Sequence, residues 1–169
     1  WLTQVPGLIA AGELKAAAEL RDRAFDAAPA VSGRIDGQAF DWIADADARL
    51  GPTLEAIVNG KYYWIPFEHI QAIQIGQPVN LRDVIWAPAT FTWSNQGQAV
   101  GLIPSRYPGS EEEPDSAFQM GRKTEWRDLG NDFFIGMGQR MLATDQGEYP
   151  LLEIREVSLD HPDSQNESS

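Results

Sequence analysis

Residues 40–67 read FDWIADADARLGPTLEAIVNGKYYWIPF and combine three closely spaced aspartates, a concentration of aromatic side chains and the dipeptide Asn59-Gly60. An Asn-Gly pair between two apolar runs is the strongest short-range signal for a two-residue β-hairpin turn, because both turn positions require a positive φ. We therefore predict that residues 54–58 and 61–66 are antiparallel strands joined at this turn.

The register of this hairpin follows from its two-residue turn. The facing pairs are Ala56 with Tyr63, Leu54 with Ile65, and Ile57 with Tyr62, with Trp64 beside the last pair. Because successive side chains of a strand point to opposite faces, the first two pairs share one face and the third lies on the other. Both faces are apolar, so we expect the hairpin to be covered on both sides, by the rest of the fold or by a partner.

The amino-terminal residues have a different pattern. Residues 6–28 are rich in Ala, Leu, Glu and Arg and carry apolar residues at helical spacing. This predicts one amphipathic helix, or two short helices broken near Gly12. Pro29 ends the helical stretch, because proline has no amide proton to donate. The spacing of Ala17, Ala24 and Pro29 is loosely similar to the second helix of a tetratricopeptide repeat.

Downstream of Ile35 the sequence consists of short apolar runs separated by turn residues. Strands are predicted at residues 70–75, 87–93, 98–103, 124–129, 136–144 and 149–159, with a short helical turn at 81–86 and an acidic loop at 110–116. A helical start followed by many antiparallel strands indicates the α+β class. We divide the chain into a helical segment (1–34), a mainly antiparallel β-sheet domain (35–159) and a polar, flexible tail (160–169).

The chain is acidic and free of cysteine. Its 169 residues include 25 Asp and Glu against 13 Lys and Arg, which gives a formal net charge of −12. This balance disfavours nucleic acid and anionic membranes as partners and favours a cationic partner. The lack of cysteine removes disulfides and thiolate metal sites and is typical of a cytoplasmic protein. No apolar run approaches the ~18 residues of a membrane helix. Because the chain begins at Trp1, we interpret it as a piece of a longer protein.

Asp41, Asp45 and Asp47 are the candidate metal-ligating residues, because carboxylate oxygens bind Ca²⁺ and Mg²⁺. Their spacing departs from that of a calcium-binding loop, which also has a glycine and a distant bidentate glutamate. Arg49 supports a second interpretation, in which a carboxylate and a guanidinium pair to fix the turn before Gly51. We favour this structural interpretation, since ion-pair networks outnumber catalytic centres among such clusters.

No other catalytic motif is complete in the sequence. The two histidines are His69 and His161, and no serine lies in the Gly-x-Ser-x-Gly pattern of a nucleophile elbow. The run GMGQRM at 136–141 lacks the third glycine of a dinucleotide-binding fingerprint. We expect Gly136 and Gly138 to serve a bulge or a close backbone approach instead. The sequence therefore predicts no catalytic residue, no metal site and no cofactor.

The aromatic residues of the hairpin are mostly expected in the core, but its second face carries more of them than one core needs. Tyr62 and Trp64 lie on that face. Aromatic side chains are the usual anchors of protein interfaces. We therefore predict that Tyr62 and Trp64 bind a protein partner, with an amphipathic helix in an apolar groove as the expected mode.

Four tracts together resemble one protein family. They are the 40–67 block, LRDVIWAPA (81–89), GLIPSRYPGSEE (101–112) and GMGQRML (136–142). From residue 35 to residue 157 the chain resembles the ImpE family, also called SciE or TagJ, whose members are accessory components of bacterial type VI secretion systems. The resemblance implies an ImpE-like α+β fold, a helical-repeat region upstream and a non-enzymatic role in the cytoplasm.

The resemblance also implies partners. Proteins of this family are understood to bind the amino-terminal helix of the small contractile-sheath subunit, and they are linked to sheath disassembly by the ClpV ATPase. Two alternatives remain open from the residues themselves. One is a metal-dependent hydrolase that uses Asp41, Asp45 and Asp47, and the other is a structural module without a ligand of its own.

Overall fold

A computed structural model describes residues 4–108, 110–112, 115–119, 123–130 and 133–160. Two helices open this part of the chain, α1 (Val5–Ala10) and α2 (Leu14–Ala27). They are separated near Gly12, which has a φ of 78°. Helix α2 ends at Ala27, and the next residue, Ala28, has the extended backbone that suits a residue before proline. Of the two predicted helical arrangements, the pair broken near Gly12 is confirmed.

Short antiparallel strands make up most of the remaining described residues. They are β1 (Gly33–Ile35), β2 (Gln38–Phe40), β3 (Ile43–Asp45), β4 (Thr53–Val58), β5 (Lys61–Pro66), β6 (Ile70–Ile75), β7 (Trp86–Trp93), β8 (Gln98–Pro104), β9 (Thr124–Asp128), β10 (Phe134–Gly138), β11 (Met141–Thr144), β12 (Gly147–Pro150) and β13 (Glu156–Leu159). Two short helices, α3 (Leu81–Ile85) and α4 (Ser116–Gln119), lie between strands. Single 3₁₀ turns occupy Phe67–His69, Ser110–Glu112 and Leu151–Glu153.

The strands form three sheets. The largest has eight strands in the order β2-β1-β13-β6-β7-β8-β4-β5, and the others are β12-β11-β3 and β10-β9. Every strand pair among the described residues is antiparallel. The predicted α+β class is confirmed, and β6, β7, β8, β9 and α3 lie within one residue of their predicted bounds.

The predicted hairpin is present in the predicted register. In β4 and β5, Ala56 faces Tyr63, Leu54 faces Ile65 and Ile57 faces Tyr62. The turn residues Asn59 and Gly60 have φ values of 52° and 76°. Two consecutive positive φ values define the type I′ turn, whose twist matches that of the two strands.

The rest of the fold covers the hairpin at β4 but not at β5, where cover by a partner stays a prediction. Strand β4 lies inside the sheet between β5 and β8 and is buried at nearly every position. Strand β5 is the edge of the sheet, and the side chains of Tyr62 and Tyr63 are 57% and 44% exposed. An edge strand has a neighbour on one side only, so its aromatic side chains keep solvent contact.

Two predicted strands are each split in the structure. Residues 136–144 belong to β10 and β11, which join different sheets, because the chain turns at Gly138 with a φ of 91°. Residues 149–159 are divided between β12 and β13 by the 3₁₀ turn Leu151–Glu153. The sequence did not predict either break, because the apolar residues continue through both turns. A turn made by one glycine or by Pro150 leaves the hydrophobic pattern almost unchanged.

Two hydrophobic clusters support the fold. The main core packs the inward side chains of the eight-stranded sheet, including Leu54, Ile73 and Phe91, against Leu142 and Leu151. In β7 the inward positions Ala87, Ala89 and Phe91 alternate with more exposed residues, the pattern of a half-buried strand. The second cluster joins Val5 of α1 and apolar residues of α2 to Phe133, with Trp64 packed against it.

Several predicted segments lie partly outside the described residues. In the acidic loop 110–116, Ser110–Glu112 form a 3₁₀ turn and Ser116 begins α4, while residues 113 and 114 are not described. In the tail 160–169 only Asp160 is described, and its backbone amide donates to the Ser32 carbonyl over 2.8 Å. His161 also lies outside. Among the described helices, none combines the length and apolar character needed to cross a membrane.

Replacing glycine by alanine should have opposite effects on stability at Gly60 in the hairpin turn and at Gly7 in helix α1. An added Cβ meets no atom within 4 Å at Gly60 or at Gly7, but Gly60 has a φ of 76° and Gly7 lies inside α1. We expect Gly60→Ala to lower the free energy of unfolding by about 1–2 kcal/mol, because an L-residue is strained at positive φ. Gly7→Ala should raise it by about 0.5–1 kcal/mol through helix propensity. Urea unfolding followed by tryptophan fluorescence measures both changes, and equal signs would contradict the backbone explanation.

Candidate functional site

Arg140 is the centre of the polar network in the interior. It lies in the crossover between β10 and β11 and has no exposed surface. Its Nη1 donates to Asp45 Oδ2 over 2.5 Å and its Nη2 to Glu55 Oε2 over 2.7 Å. Its Nε donates to the carbonyl of Pro104 over 2.8 Å. The guanidinium therefore connects β3, β4 and the end of β8 to the crossover.

A second guanidinium completes the network. Arg49 Nη2 and Nε donate to the two carboxylate oxygens of Asp47 over 2.7 and 3.0 Å, which confirms the predicted pair. The same carboxylate accepts the Gly136 amide over 2.8 Å. Asp45 Oδ1 accepts the Asp47 amide and Asp47 Oδ1 accepts the Arg49 amide, at 2.9 and 2.8 Å. These two side-chain-to-backbone bonds fix the turn between β3 and β4.

Tyr107 covers the network from the other side. Its buried hydroxyl donates to Asp45 Oδ1 over 2.8 Å and accepts the Met141 amide over 3.0 Å. The Arg140 guanidinium carbon lies 5.0 Å from the centre of the tyrosine ring. A Cβ added to Gly136 would lie 2.3 Å from that ring, so the residue at 136 has to be glycine for the ring to fit. The predicted role of Gly136 in a close backbone approach is thereby confirmed.

The network holds more negative than positive formal charge. Asp45, Asp47 and Glu55 face the guanidinium groups of Arg49 and Arg140. Burial raises the pKa of Asp45 to about 6, with Arg140 opposing this shift and Asp47 adding to it. For Arg140, burial alone would lower the pKa, but the carboxylates of Asp45 and Glu55 outweigh it and the pKa is raised.

The chemistry available to the network is proton binding and structural clamping. Among the described residues, every buried side-chain nitrogen and oxygen has a hydrogen-bond partner. Burial and the neighbouring Asp45 carboxylate hold the pKa of Tyr107 well above its ordinary value, so its hydroxyl stays protonated. Asp45 is the group that can take up a proton near pH 6.

The three predicted metal-ligating aspartates do not form one cluster. Asp45 and Asp47 are buried and bound by arginines, whereas Asp41 is exposed and its amide donates to Asp145 Oδ1 over 2.7 Å. Among the described residues, no group of three His, Asp or Glu side chains is arranged to hold a metal ion. His69 is 63% exposed, with its Nε2 3.9 Å from Glu68 Oε1.

An apolar groove of about 300 Å³ lies beside the hairpin. Its walls are the end of α2 with Ala24, Ala27 and Ala28, and the edge strand with Trp64 and Pro66. Glu68 is the charged residue among its described lining residues. We call this feature the α2–β5 groove.

The predicted partner-binding residues occupy different positions at this groove. Trp64 is half-buried and lines it. Tyr62 is 57% exposed outside the lining, and its hydroxyl accepts a hydrogen bond from Trp64 Nε1 over 2.8 Å. The two side chains thus lie on the same face of β5, and Tyr62 fixes the orientation of the indole.

Sequence reasoning missed three members of the network, Glu55, Tyr107 and Arg140. Arg140 lies 95 positions from Asp45 and 85 from Glu55 along the chain. The motif GMGQRML contains this arginine, but its composition does not reveal the partner. The available signal was Glu55 itself, a charged residue in an otherwise apolar predicted strand, because a charge at such a position requires a counter-charge.

Removing Arg140 tests the clamp. Arg140→Met should lower the free energy of unfolding by about 3–5 kcal/mol at pH 7, because it leaves buried carboxylates without their cation. The loss should shrink as pH falls, since protons then neutralise those carboxylates. Denaturant unfolding at several pH values measures both effects. Arg155→Met serves as the control, because the Arg155 guanidinium donates to two backbone carbonyls, those of Leu152 and Ile154. A pH-independent loss in Arg140→Met would contradict this account.

The pKa of Asp45 predicts how stability depends on pH. A carboxyl whose pKa is higher in the folded than in the unfolded state stabilises the fold below the unfolded pKa, and that contribution is lost as pH rises through the folded pKa. With values of about 6 folded and 3.8 as reference, stability should rise by about 1 kcal/mol between pH 7 and pH 5. Asp45→Asn should remove this rise. An unchanged slope in that variant would assign the proton to another group.

The chain matches known proteins in sequence and in fold. The model of the ImpE protein family matches residues 37–158. The chain is 47% identical over 163 residues to the type VI secretion system accessory component TagJ of Pseudomonas aeruginosa, which covers 96% of this chain and 57% of that relative. The crystal structure of protein VPA1032 from Vibrio parahaemolyticus superposes with a TM-score of 0.88 at 19% identity, covering 97% of this chain and 61% of that one. The chain thus spans roughly three fifths of both relatives, and the resemblance noted from its motifs is confirmed: this chain belongs to the ImpE family.

Proposed function

We propose that this chain is part of an accessory component of a type VI secretion system and that it binds the amino-terminal helix of the small contractile-sheath subunit. The observation that carries the first part is the 47% identity, over 96% of the chain, to a relative named as such an accessory component. The second part rests on the family resemblance and on the α2–β5 groove. In this proposal the protein acts in the cytoplasm.

The shape of the α2–β5 groove supports helix binding. Its volume of about 300 Å³ is at the lower end of the range of protein ligand sites. Alanines on the α2 side leave room for bulky side chains of a partner, and Trp64 and Pro66 supply a rigid apolar wall. An amphipathic helix places apolar side chains at i, i+3, i+4 and i+7 into such a groove.

The charge at the groove favours a cationic flank on that helix. Glu68 lines the groove with its side chain 44% exposed, and the chain has a formal net charge of −12. A Lys or Arg beside the apolar anchors of the partner would lie against Glu68. Complementary charge at the edge of an interface mainly raises the association rate and the specificity.

Tyr62 and Trp64 are part of the proposed contact. Trp64 presents its indole to the groove while its Nε1 is held by Tyr62. A tryptophan fixed in orientation loses little side-chain entropy when a partner binds, which is a property of interface anchors. Tyr62 would contribute both through this bond and through its own exposed ring.

The remaining parts of the proposal concern chemistry and the unfoldase. We propose a non-enzymatic role without a cofactor, because the buried carboxylates and Tyr107 already bond arginines and backbone groups. No observation on the described residues favours the metal-dependent hydrolase. The link to the ClpV ATPase is indirect in this proposal: an accessory protein that holds the sheath-subunit helix presents that subunit for disassembly.

Calorimetric titration with a peptide of the cognate sheath helix tests the proposal. We expect micromolar or tighter binding with a negative heat-capacity change, the marker of buried apolar surface. Glu68→Lys should weaken binding by about 3- to 10-fold at low salt. Glu153→Lys makes the same change of charge on an exposed residue outside the groove lining and should leave the affinity within about twofold.

The same titration tests the aromatic residues. The double change Tyr62→Ala and Trp64→Ala should abolish binding, whereas Tyr63→Ala, on the opposite face of β5 and 44% exposed, should not. Circular dichroism verifies that each variant is folded. An unchanged affinity in the double variant would remove these residues from the contact. No binding by the unaltered chain would overturn the proposed role of this groove and favour a structural module.

A further inference from the structure

We propose that the outer face of strands β4–β8 is a self-association surface that packs against a second copy of this chain. The inward positions of β7 and β8, among them Ala89, Phe91 and Ile103, face the main core. The alternate positions therefore point away from it. One row of these outward residues crosses four strands in register: Tyr62, Ile57, Leu102 and Pro88. We call this outer surface the neutral face.

The neutral face is apolar where an exposed sheet face is ordinarily polar. Val100, next to the row on β8, is 70% exposed, and Tyr62 is 57% exposed. Thr90 pairs with Val100, Gln74 pairs with Thr90 and Glu156 of β13 pairs with Gln74, so the adjoining row adds a hydroxyl and an amide and ends at a carboxylate on the border of the face. An antiparallel sheet with one solvated face alternates apolar inside and polar outside. Apolar residues in contiguous outward positions mark an interaction surface.

The distribution of charged residues indicates which partner fits the neutral face. No Asp, Glu, Lys or Arg occurs in β6, β7 or β8, although 22% of the chain is charged and its formal net charge is −12. A cationic partner gains nothing from a neutral surface and would bind an acidic one. Two copies of an acidic chain repel each other wherever carboxylates face carboxylates. The neutral face is where that repulsion is least, so a second copy is the partner it fits.

The shape of the neutral face is self-complementary, because it has both a projecting side chain and a depression. Val100 projects from β8, and beside it lies a shallow depression of about 370 Å³ bordered by Gln74, Gly76, Pro88 and Thr90. Gly76 has no side chain to fill this depression. In a two-fold symmetric dimer, each surface provides both the projection and the hollow that receives it. Val100 of one copy would then enter the hollow of the other, with the sheets stacked about 10 Å apart.

Sedimentation of this chain over a range of concentration and salt tests the inference. We expect dimers whose dissociation constant falls as salt rises, because screening weakens the repulsion between two acidic chains. Val100→Glu should raise the dissociation constant by about tenfold or more, since it brings carboxylates into the contact. Val79→Glu adds the same charge at an 84% exposed residue in the segment between β6 and α3 and should behave like the unaltered chain.

The outcomes are decisive in both directions. A chain that remains monomeric at about 100 μM and at about 0.5 M salt, where exposed charges are largely screened, overturns the inference. Equal weakening by Val100→Glu and Val79→Glu overturns it as well, because the effect would then come from net charge alone. Val100 is mostly exposed, so its replacement leaves the core intact, and circular dichroism verifies the fold. The test requires no peptide and is independent of the α2–β5 groove.

Discussion

Arg140 carries its charge without any exposed surface, and this requirement organises the surrounding chain. A buried guanidinium costs several kcal/mol in lost hydration unless carboxylates and carbonyls replace the water. Asp45, Glu55 and the Pro104 carbonyl meet this need from three separate strands. Their sequence separation is large, so the network forms only when β3, β4, β8 and the crossover are all in place. The network therefore stabilises only the tertiary arrangement in which these strands have their observed registers.

The path of the chain at 138–141 reflects the same requirement. A continuous strand over 136–144 would alternate its side chains along one sheet. Instead Gly138 takes a φ of 91°, β10 ends, and Arg140 points into the interior before β11 begins in another sheet. Gly136 lacks a side chain where the Tyr107 ring crosses the strand. The glycines of GMGQRML thus serve backbone geometry.

Local chemistry was predictable and remote chemistry was not. Asn59-Gly60 determines its own φ values, so the hairpin and its register follow from a few neighbouring residues. Asp47 and Arg49 are two positions apart, and their pairing was equally accessible. The partners of Arg140 are 85 and 95 positions away, and many carboxylates could have served. Sequence patterns specify local geometry, whereas a contact between distant segments depends on the topology that brings them together.

The face of the β4–β5 hairpin that carries Ile57 and Tyr62 contributes side chains to the neutral face, to the Arg140 network and to the α2–β5 groove. Near the turn, Ile57 and Tyr62 continue across β8 as the neutral face, while farther along the strands Glu55 lies opposite Trp64. Glu55 belongs to the Arg140 network and Trp64 to the wall of the α2–β5 groove. One strand pair therefore supports an acidic-edged groove at one end and an uncharged surface at the other. Surfaces of such different charge select different partners, although both proposed contacts include Tyr62, so a sheath helix and a second copy of the chain compete for that side chain.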